Sequence, residues 1–195
     1  MGKVMMVATV SLDGFIADED DRVGALFDWY GNGPVAATLG DPDRVFHVSE
    51  ASAAYLARLA TVGAGVIGRR LFDLVDGWGG VPPAGEHAFV VTHEPPAHWP
   101  HPDAPFTFVT DGVASAIEQA RDIAGERDVS VTAGDVGGQA LAAGLVDEVH
   151  MNVAPVVLGS GIRFFGSLAG PVLLEDPRSV QGDRVRHDVY PVRRS

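Results

Sequence analysis

Gly68-Arg69-Arg70 directly follows a short apolar run, Ala64-Gly65-Val66-Ile67, and directly precedes a helical pattern from Leu71 to about Val75. A helix start leaves backbone N–H groups unpaired at the positive end of the helix dipole, and it attracts anions. Two arginines are unfavourable against that dipole unless an anion is held there. Their forked donors suit phosphate. A second strand–glycine–helix junction spans residues 129–141, with Ala133-Gly134-Asp135 at its turn. Two such junctions in one small α/β domain point to a ligand with several phosphates, for which a dinucleotide is the natural candidate.

Other chemically able residues form weaker patterns. Asp13-Gly14 is a turn dipeptide, so Asp13 is either a turn-former or a polar anchor and proton relay on a loop. Trp29 either stacks on a planar heterocycle or pins its segment to the core. Glu50 opens a helix, where a carboxylate favours the dipole. The spacing His93-x4-His98-x2-His101 lies among prolines and lacks a carboxylate–histidine helix motif, so no metal site is expected. Gly159-Ser160-Gly161 reads as a turn, and the absence of a Gly-x-Ser-x-Gly elbow argues against hydrolase chemistry.

The elements that must position these residues follow from periodicity. Residues 4–10 form a continuous apolar run, the mark of a strand buried on both faces. Residues 22–48 show no clear period and carry Gly31, Gly33, Pro34, Gly40 and Pro42; they read as a long functional loop. Ser49 is the expected N-cap of a helix reaching about Thr61. Strands are expected at 64–67, 88–92, 106–109 and 129–132. A helix capped by Asp111 carries Val113, Ala116, Ile117, Ala120 and Ala124 at helical spacing. Residues 145–155 alternate apolar and polar, which predicts an antiparallel or edge strand with His150 facing outward. Two strands at 171–175 and 185–192 close the chain. Alternating strands and helices followed by antiparallel strands predict a three-layer α/β fold with a mixed, mostly parallel sheet.

The totals agree with one domain over residues 1–195. With 195 residues, 46% of them hydrophobic, the chain can bury a core without staples. It has no cysteine, so thiolate chemistry and zinc–sulfur sites are excluded. A net charge of −12, with basic clusters only at Arg69-Arg70 and Arg193-Arg194, argues against nucleic-acid binding. The apolar runs are too short for a bilayer, and Met1-Gly2-Lys3 leads straight into a strand pattern, so a cytoplasmic location is expected.

Several stretches together resemble the dihydrofolate-reductase-like superfamily, in the branch of the riboflavin-biosynthesis reductase domain. They are Val10-Ser11-Leu12-Asp13-Gly14-Phe15-Ile16-Ala17, Val66-Ile67-Gly68-Arg69-Arg70-Leu71-Phe72-Asp73, Gly144-Leu145-Val146-Asp147-Glu148-Val149, and Pro155 to Gly161 with Phe164-Phe165. The resemblance implies the fold and NADPH as cofactor; a homodimer is expected to cover the exposed edges at the polar-faced strand around His150 and Asn152 and at the C-terminal strands, the region through which such relatives pair. The resemblance assigns cofactor phosphates to Gly68, Arg69, Arg70 and Leu71, and the adenosine end to Thr92 and His93. It assigns the pyrophosphate to Ala133, Gly134, Asp135 and Val136, and the nicotinamide to Ala8, Ile16 and Ala17. The family's paired glycines at the late turn are here Ala133-Gly134, and Asp135 would repel phosphate unless it turns away or caps the helix.

Dihydrofolate reductases proper place an acid on the first helix facing the pterin; here that register falls near Ser52, with Glu50 close by. The expected activity is NADPH-dependent hydride transfer to a small planar, pterin- or pyrimidine-like compound. Asp13 is the catalytic candidate, and Trp29 and Glu50 are the substrate-binding candidates. Two alternatives stand beside it. One is a nucleotide-binding module without turnover. The other is a 5-amino-6-(5-phosphoribosylamino)uracil reductase, which needs a further basic pocket.

Overall fold

The computed structural model describes residues 2–193, so Arg194 of the C-terminal basic pair lies outside the described residues. In chain order the elements are β1 (Val4–Val10), β2 (Phe15–Ala17), a 3-10 segment (Gly24–Gly31), β3 (Val35–Leu39), β4 (Asp41–Val48) and α1 (Glu50–Leu59). Next come β5 (Ala64–Gly68), α2 (Arg69–Leu74), a second 3-10 segment (Asp76–Gly80), β6 (His87–Val91), β7 (Phe106–Val109) and α3 (Val113–Ala124). The chain closes with β8 (Val129–Thr132), α4 (Asp135–Ala142), β9 (Glu148–Val153), β10 (Ile162–Arg163), β11 (Arg178–Gly182) and β12 (Val185–Pro191).

Eight strands form one sheet in the order β11-β12-β9-β1-β8-β5-β6-β7. The ladder is parallel from β9 through β7, and β12 and β11 add antiparallel at the other end. The apolar run of β1 places it near the centre, where both of its faces are covered; Val4, Met5 and Met6 are wholly buried. On one face α3 presents Val113, Ala116, Ile117, Ala120 and Ala124, all buried against Val66, Val129 and Val131, as their spacing predicts. On the other face α1 packs Leu56 and Leu59 around Met5, and α2 packs Phe72 against Ile67 and Val90. The three-layer α/β architecture expected from the sequence is present.

Local chemistry explains the helix starts. Ser49 caps α1, its Oγ accepting from the Ser52 backbone N–H at 3.3 Å. Asp111 does not cap α3: Gly112 does, with φ of 92°. Within α4, a Cβ on Gly137 would meet the Thr132 carbonyl at 2.7 Å, and one on Gly138 would meet the Phe165 carbonyl at 2.2 Å. The glycine pair therefore lets this helix lie directly against the end of β8 on one side and the backbone at Phe165 on the other.

Three further expectations fail. Residues 22–48 are ordered as the 3-10 segment and the β3–β4 hairpin, turned at Gly40 with φ of 70°. Gly33 is a close-approach residue, since a Cβ there would lie 2.0 Å from the Val48 carbonyl carbon. Its presence marks packing rather than disorder. Residues 171–175 contribute only a Leu174–Val192 bridge, and the outer strand is β11. Finally, β9 is no edge: it lies between β1 and β12, and its polar side chains point inward. Glu148, His150 and Asn152 are only 2%, 0% and 4% exposed. The reason is α1, which brings hydroxyls and Arg58 onto that face.

Candidate active site

The parallel strands β1, β5, β6 and β8 end on one edge of the sheet, and the two glycine junctions meet there. β5 and β8 are neighbours, so α2 and α4 start side by side on opposite faces. A Cβ built on Gly68 would stand 3.2 Å from Val136 Cγ2, and one on Gly134 would stand 3.5 Å from Ile16 Cδ1. Gly134 holds φ of 90°, a conformation that favours glycine, and its N–H donates to the Phe164 carbonyl at 2.7 Å. Gly68, Gly134, Val136 and Ile16 therefore form one contiguous cluster.

The arginines reach in different directions from the start of α2. Arg69 Nε donates to the Asp73 carboxylate at 2.7 and 2.9 Å, and its Nη1 donates to the Glu94 carbonyl at 2.7 Å. Thr92 Oγ1 donates to that same carbonyl at 2.7 Å, which ties Arg69 to the end of β6. His93 is exposed beside it. Arg70 Nη2 donates to Asp21 at 2.8 Å, and the Asp21 and Asp135 charges hold its guanidinium more firmly protonated. The exposed Asp135 turns its carboxylate toward Gly166: a Cβ on Gly166 would meet Asp135 Oδ1 at 2.6 Å.

Next to this cluster a cavity of about 450 Å³ opens between the sheet, the first 3-10 segment and the β3–β4 hairpin. Ala8, Ile16, Leu71 and Ala133 line it, four of the residues assigned to cofactor from sequence, while Ala17 is buried beside them. Val7, Thr9, Ser130, Thr132 and Asn152 form its floor. An aromatic wall faces them: Tyr30 stacks on Phe46 at 4.2 Å and 22°, with Phe27 at 5.2 Å. Burial pushes the Tyr30 phenol up to about 12, against the nearby Arg44. Arg44, paired with Asp41 at 3.6 Å, is the one charged side chain among the described lining residues.

The catalytic and substrate candidates lie elsewhere. Asp13 accepts from Ser11 Oγ at 2.6 Å, from Leu158 N–H at 3.1 Å and from Gly159 N–H at 2.7 Å. The Ser11 hydrogen bond, joined by the backbone donors, lowers its carboxyl to about 2. These contacts latch the 11–15 turn to the 158–161 turn. Trp29 is 1% exposed, packed on Tyr30 at 4.1 Å and edge-on to His187 at 5.2 Å, so it pins its segment and offers no face to a ligand. Glu50 is exposed in the first turn of α1 and lines no part of the cavity. Ser52, in the register of the family acid, is buried against His187 Nε2 at 2.9 Å.

Sequence reasoning missed Tyr30, Phe46, Thr9, Thr132 and Asn152. The signals were present in the Phe27-x-Trp29-Tyr30 aromatic group and in the polar alternation of 148–152. Among the described residues, no helix is long and apolar enough to cross a membrane.

No family model and no curated protein matches the chain. Its fold is similar to several solved structures. One is described as a riboflavin biosynthesis protein from Shewanella sp. PV-4, 20% identical with a TM-score of 0.74, each chain fully covered. Another is a diaminohydroxyphosphoribosylaminopyrimidine deaminase/5-amino-6-(5-phosphoribosylamino)uracil reductase from Thermotoga maritima, 14% identical with a TM-score of 0.62. There 98% of this chain spans 57% of that one. A third is the dihydrofolate reductase of Enterococcus faecalis in complex with NADP(H), 13% identical with a TM-score of 0.56, covering 99% of this chain and 98% of that one. At these identities the likeness establishes architecture, and with the sheet order and paired junctions already described it identifies this chain as having the dihydrofolate-reductase-like fold.

Proposed function

We propose that the chain is an NADPH-dependent reductase of a small planar heterocyclic compound. The observation that carries this reading is the meeting of the two glycine-led helix starts beside an apolar cavity at the carboxyl edge of the sheet. The residues fit the cofactor. Gly134 turns the chain with φ of 90° into the start of α4, and Arg69 and Arg70 bring two guanidinium groups to the start of α2. On this reading Gly68 to Leu71 and Ala133 to Val136 hold the phosphates, Thr92 and His93 flank the adenosine, and Ala8 and Ile16 border the nicotinamide. Bound NADPH supplies a hydride. The chain contributes orientation, and the aromatic wall and hairpin exclude water from the acceptor. Similarity to proteins named as reductases supports the class of reaction.

Trp78 lines the cavity, so its fluorescence reports occupancy nearby. NADPH is expected to quench it and to bind at least about tenfold tighter than NADH, the margin expected of a charge-assisted hydrogen bond to the 2′-phosphate. No quenching, or equal binding of the two, contradicts the reading. One observation favours a module without turnover: among the described lining residues there is no carboxyl or imidazole to deliver a proton. Tight NADPH binding with no oxidation across pterins, pyrimidines, imines and quinones would select that second reading. Pairing of two copies stays a proposal resting on the exposed β11 edge, since β9 is enclosed; light scattering at a dimer mass would support it.

A further inference from the structure

The buried polar face of β9 continues into the cavity floor, and its hydrogen bonds run in a defined direction. Ser49 Oγ donates to Ser52 Oγ at 3.2 Å, and Ser52 Oγ reaches His187 Nε2 at 2.9 Å. His187 Nδ1 lies 2.8 Å from Asn152 Oδ1. An amide oxygen only accepts, so Nδ1 carries the proton and Nε2 accepts from Ser52. A second arm ends at Glu148: His150 Nε2 donates to its carboxylate at 3.1 Å, which leaves Nδ1 to accept from the Tyr55 hydroxyl at 3.4 Å. Tyr55 also stacks on His187 at 4.2 Å and 15° and interacts with the Asn152 amide.

The consequence falls on Asn152. With Oδ1 committed to His187, the amide cannot flip; one N–H of its NH₂ group serves the Tyr55 oxygen and the other is left for the cavity. Asn152 lines the cavity. Directly across the ladder is Thr9, on the same face of the sheet. Thr9 is 4% exposed and lines the cavity, and its hydroxyl makes no hydrogen bond among the described residues. Facing the cavity without a protein partner, that hydroxyl is available to a ligand. Among the described residues, the floor also carries no carboxylate that would hold a protonated ring.

We propose that Asn152 and Thr9 are specificity residues that recognise an acceptor edge, a ring carbonyl, of an uncharged planar substrate, and that His187 positions the Asn152 amide to donate. This rests on the reading that the cavity takes the substrate. A basic amino-substituted ring is disfavoured twice: it offers donors to a donor, and its proton finds no counter-charge.

The test uses a matched pair, pteridine-2,4-dione and pteridine-2,4-diamine, titrated at neutral pH with and without NADPH. The wild-type chain is expected to bind the dione about tenfold tighter, the discrimination one buried hydrogen bond supplies. N152L is expected to erase that preference while the diamine changes little, and T9V to reduce it about threefold. If N152L does not fold, the T9V titration decides. Tighter or equal binding of the diamine, failure of both compounds to bind, or an unchanged dione-to-diamine ratio in the folded variants overturns the proposal. Dione selectivity without NADPH binding would instead leave this recognition standing and remove the reductase reading.

Discussion

The two faces of the central sheet are built on different principles. Beneath α3 and α4 the packing is continuous and apolar, from Val129 and Val131 to Ile117 and Ala120. Beneath α1 and the hairpin, the apolar cluster of Met5, Leu56 and Leu59 is interrupted by a hydrogen-bonded set of titratable side chains and by a cavity. This second face holds groups whose geometry is specified by direction as well as volume, and it is the face open to a ligand.

The sharpest way to separate the faces is a truncation on the apolar side. Ile117→Ala is expected to cost about 3 kcal/mol in urea unfolding, because the sealed layer cannot collapse around the space. NADPH affinity should not move. A similar loss of affinity would mean that the faces are not independent.

Acidification probes the other face. Burial lowers the His187 imidazole to about 4, below its ordinary 6.5. The unfolded chain therefore takes up a proton below pH 6.5 that the folded chain refuses until about pH 4. Stability should fall across that window by about 3 kcal/mol, and His187→Gln should flatten the decline. His150, lowered by burial despite Glu148, adds in the same direction. Glu148 acts in the same direction over a lower window. Burial opposes its ionisation, but Lys3 and His150 hold its carboxyl down to about 2. Its contribution is present above the ordinary carboxylate range and is lost only as pH falls from about 4.5 toward 2. An acid profile with one transition at pH 4.5 would contradict the assignment.

Smaller effects are expected where exposed groups tie turns together. Asp13→Asn should lower Tm slightly by loosening the Ser11, Leu158 and Gly159 contacts, and it should leave the pH dependence of any turnover unchanged. A lost limb of the pH–rate profile would restore Asp13 as a proton carrier.

Legibility in the sequence followed the same division. The apolar face was readable because burial there repeats with helix and strand periods: residues 4–10 and the α3 positions needed no partner to be interpreted. The Ser49 cap and the Gly68 junction are local chemistry and were equally plain. The polar face was not readable, since the partners of His150 and His187 come from α1, 95 and 135 residues away. Alternation alone cannot distinguish a solvated side from a satisfied one. The hairpin was hidden by Gly33, Pro34 and Pro42, which serve close packing and turns here. Trp29 and Tyr30 show the finest limit: adjacent aromatics, one sealed in the core and one on the cavity wall, separated only by backbone geometry.

The central claim is that the junction at the head of α2 holds the phosphates of NADPH, and it is tested most directly by titrating NADPH against the Arg69→Gln/Arg70→Gln variant over a range of salt. Both side chains are solvent-accessible and, among the described residues, hydrogen-bond with Asp73, Glu94 and Asp21, so the fold should survive their loss. The account predicts an unchanged Tm, affinity at least about tenfold weaker, a shallower salt dependence and no preference for NADPH over NADH. Wild-type affinity and salt dependence in the doubly substituted chain would contradict it.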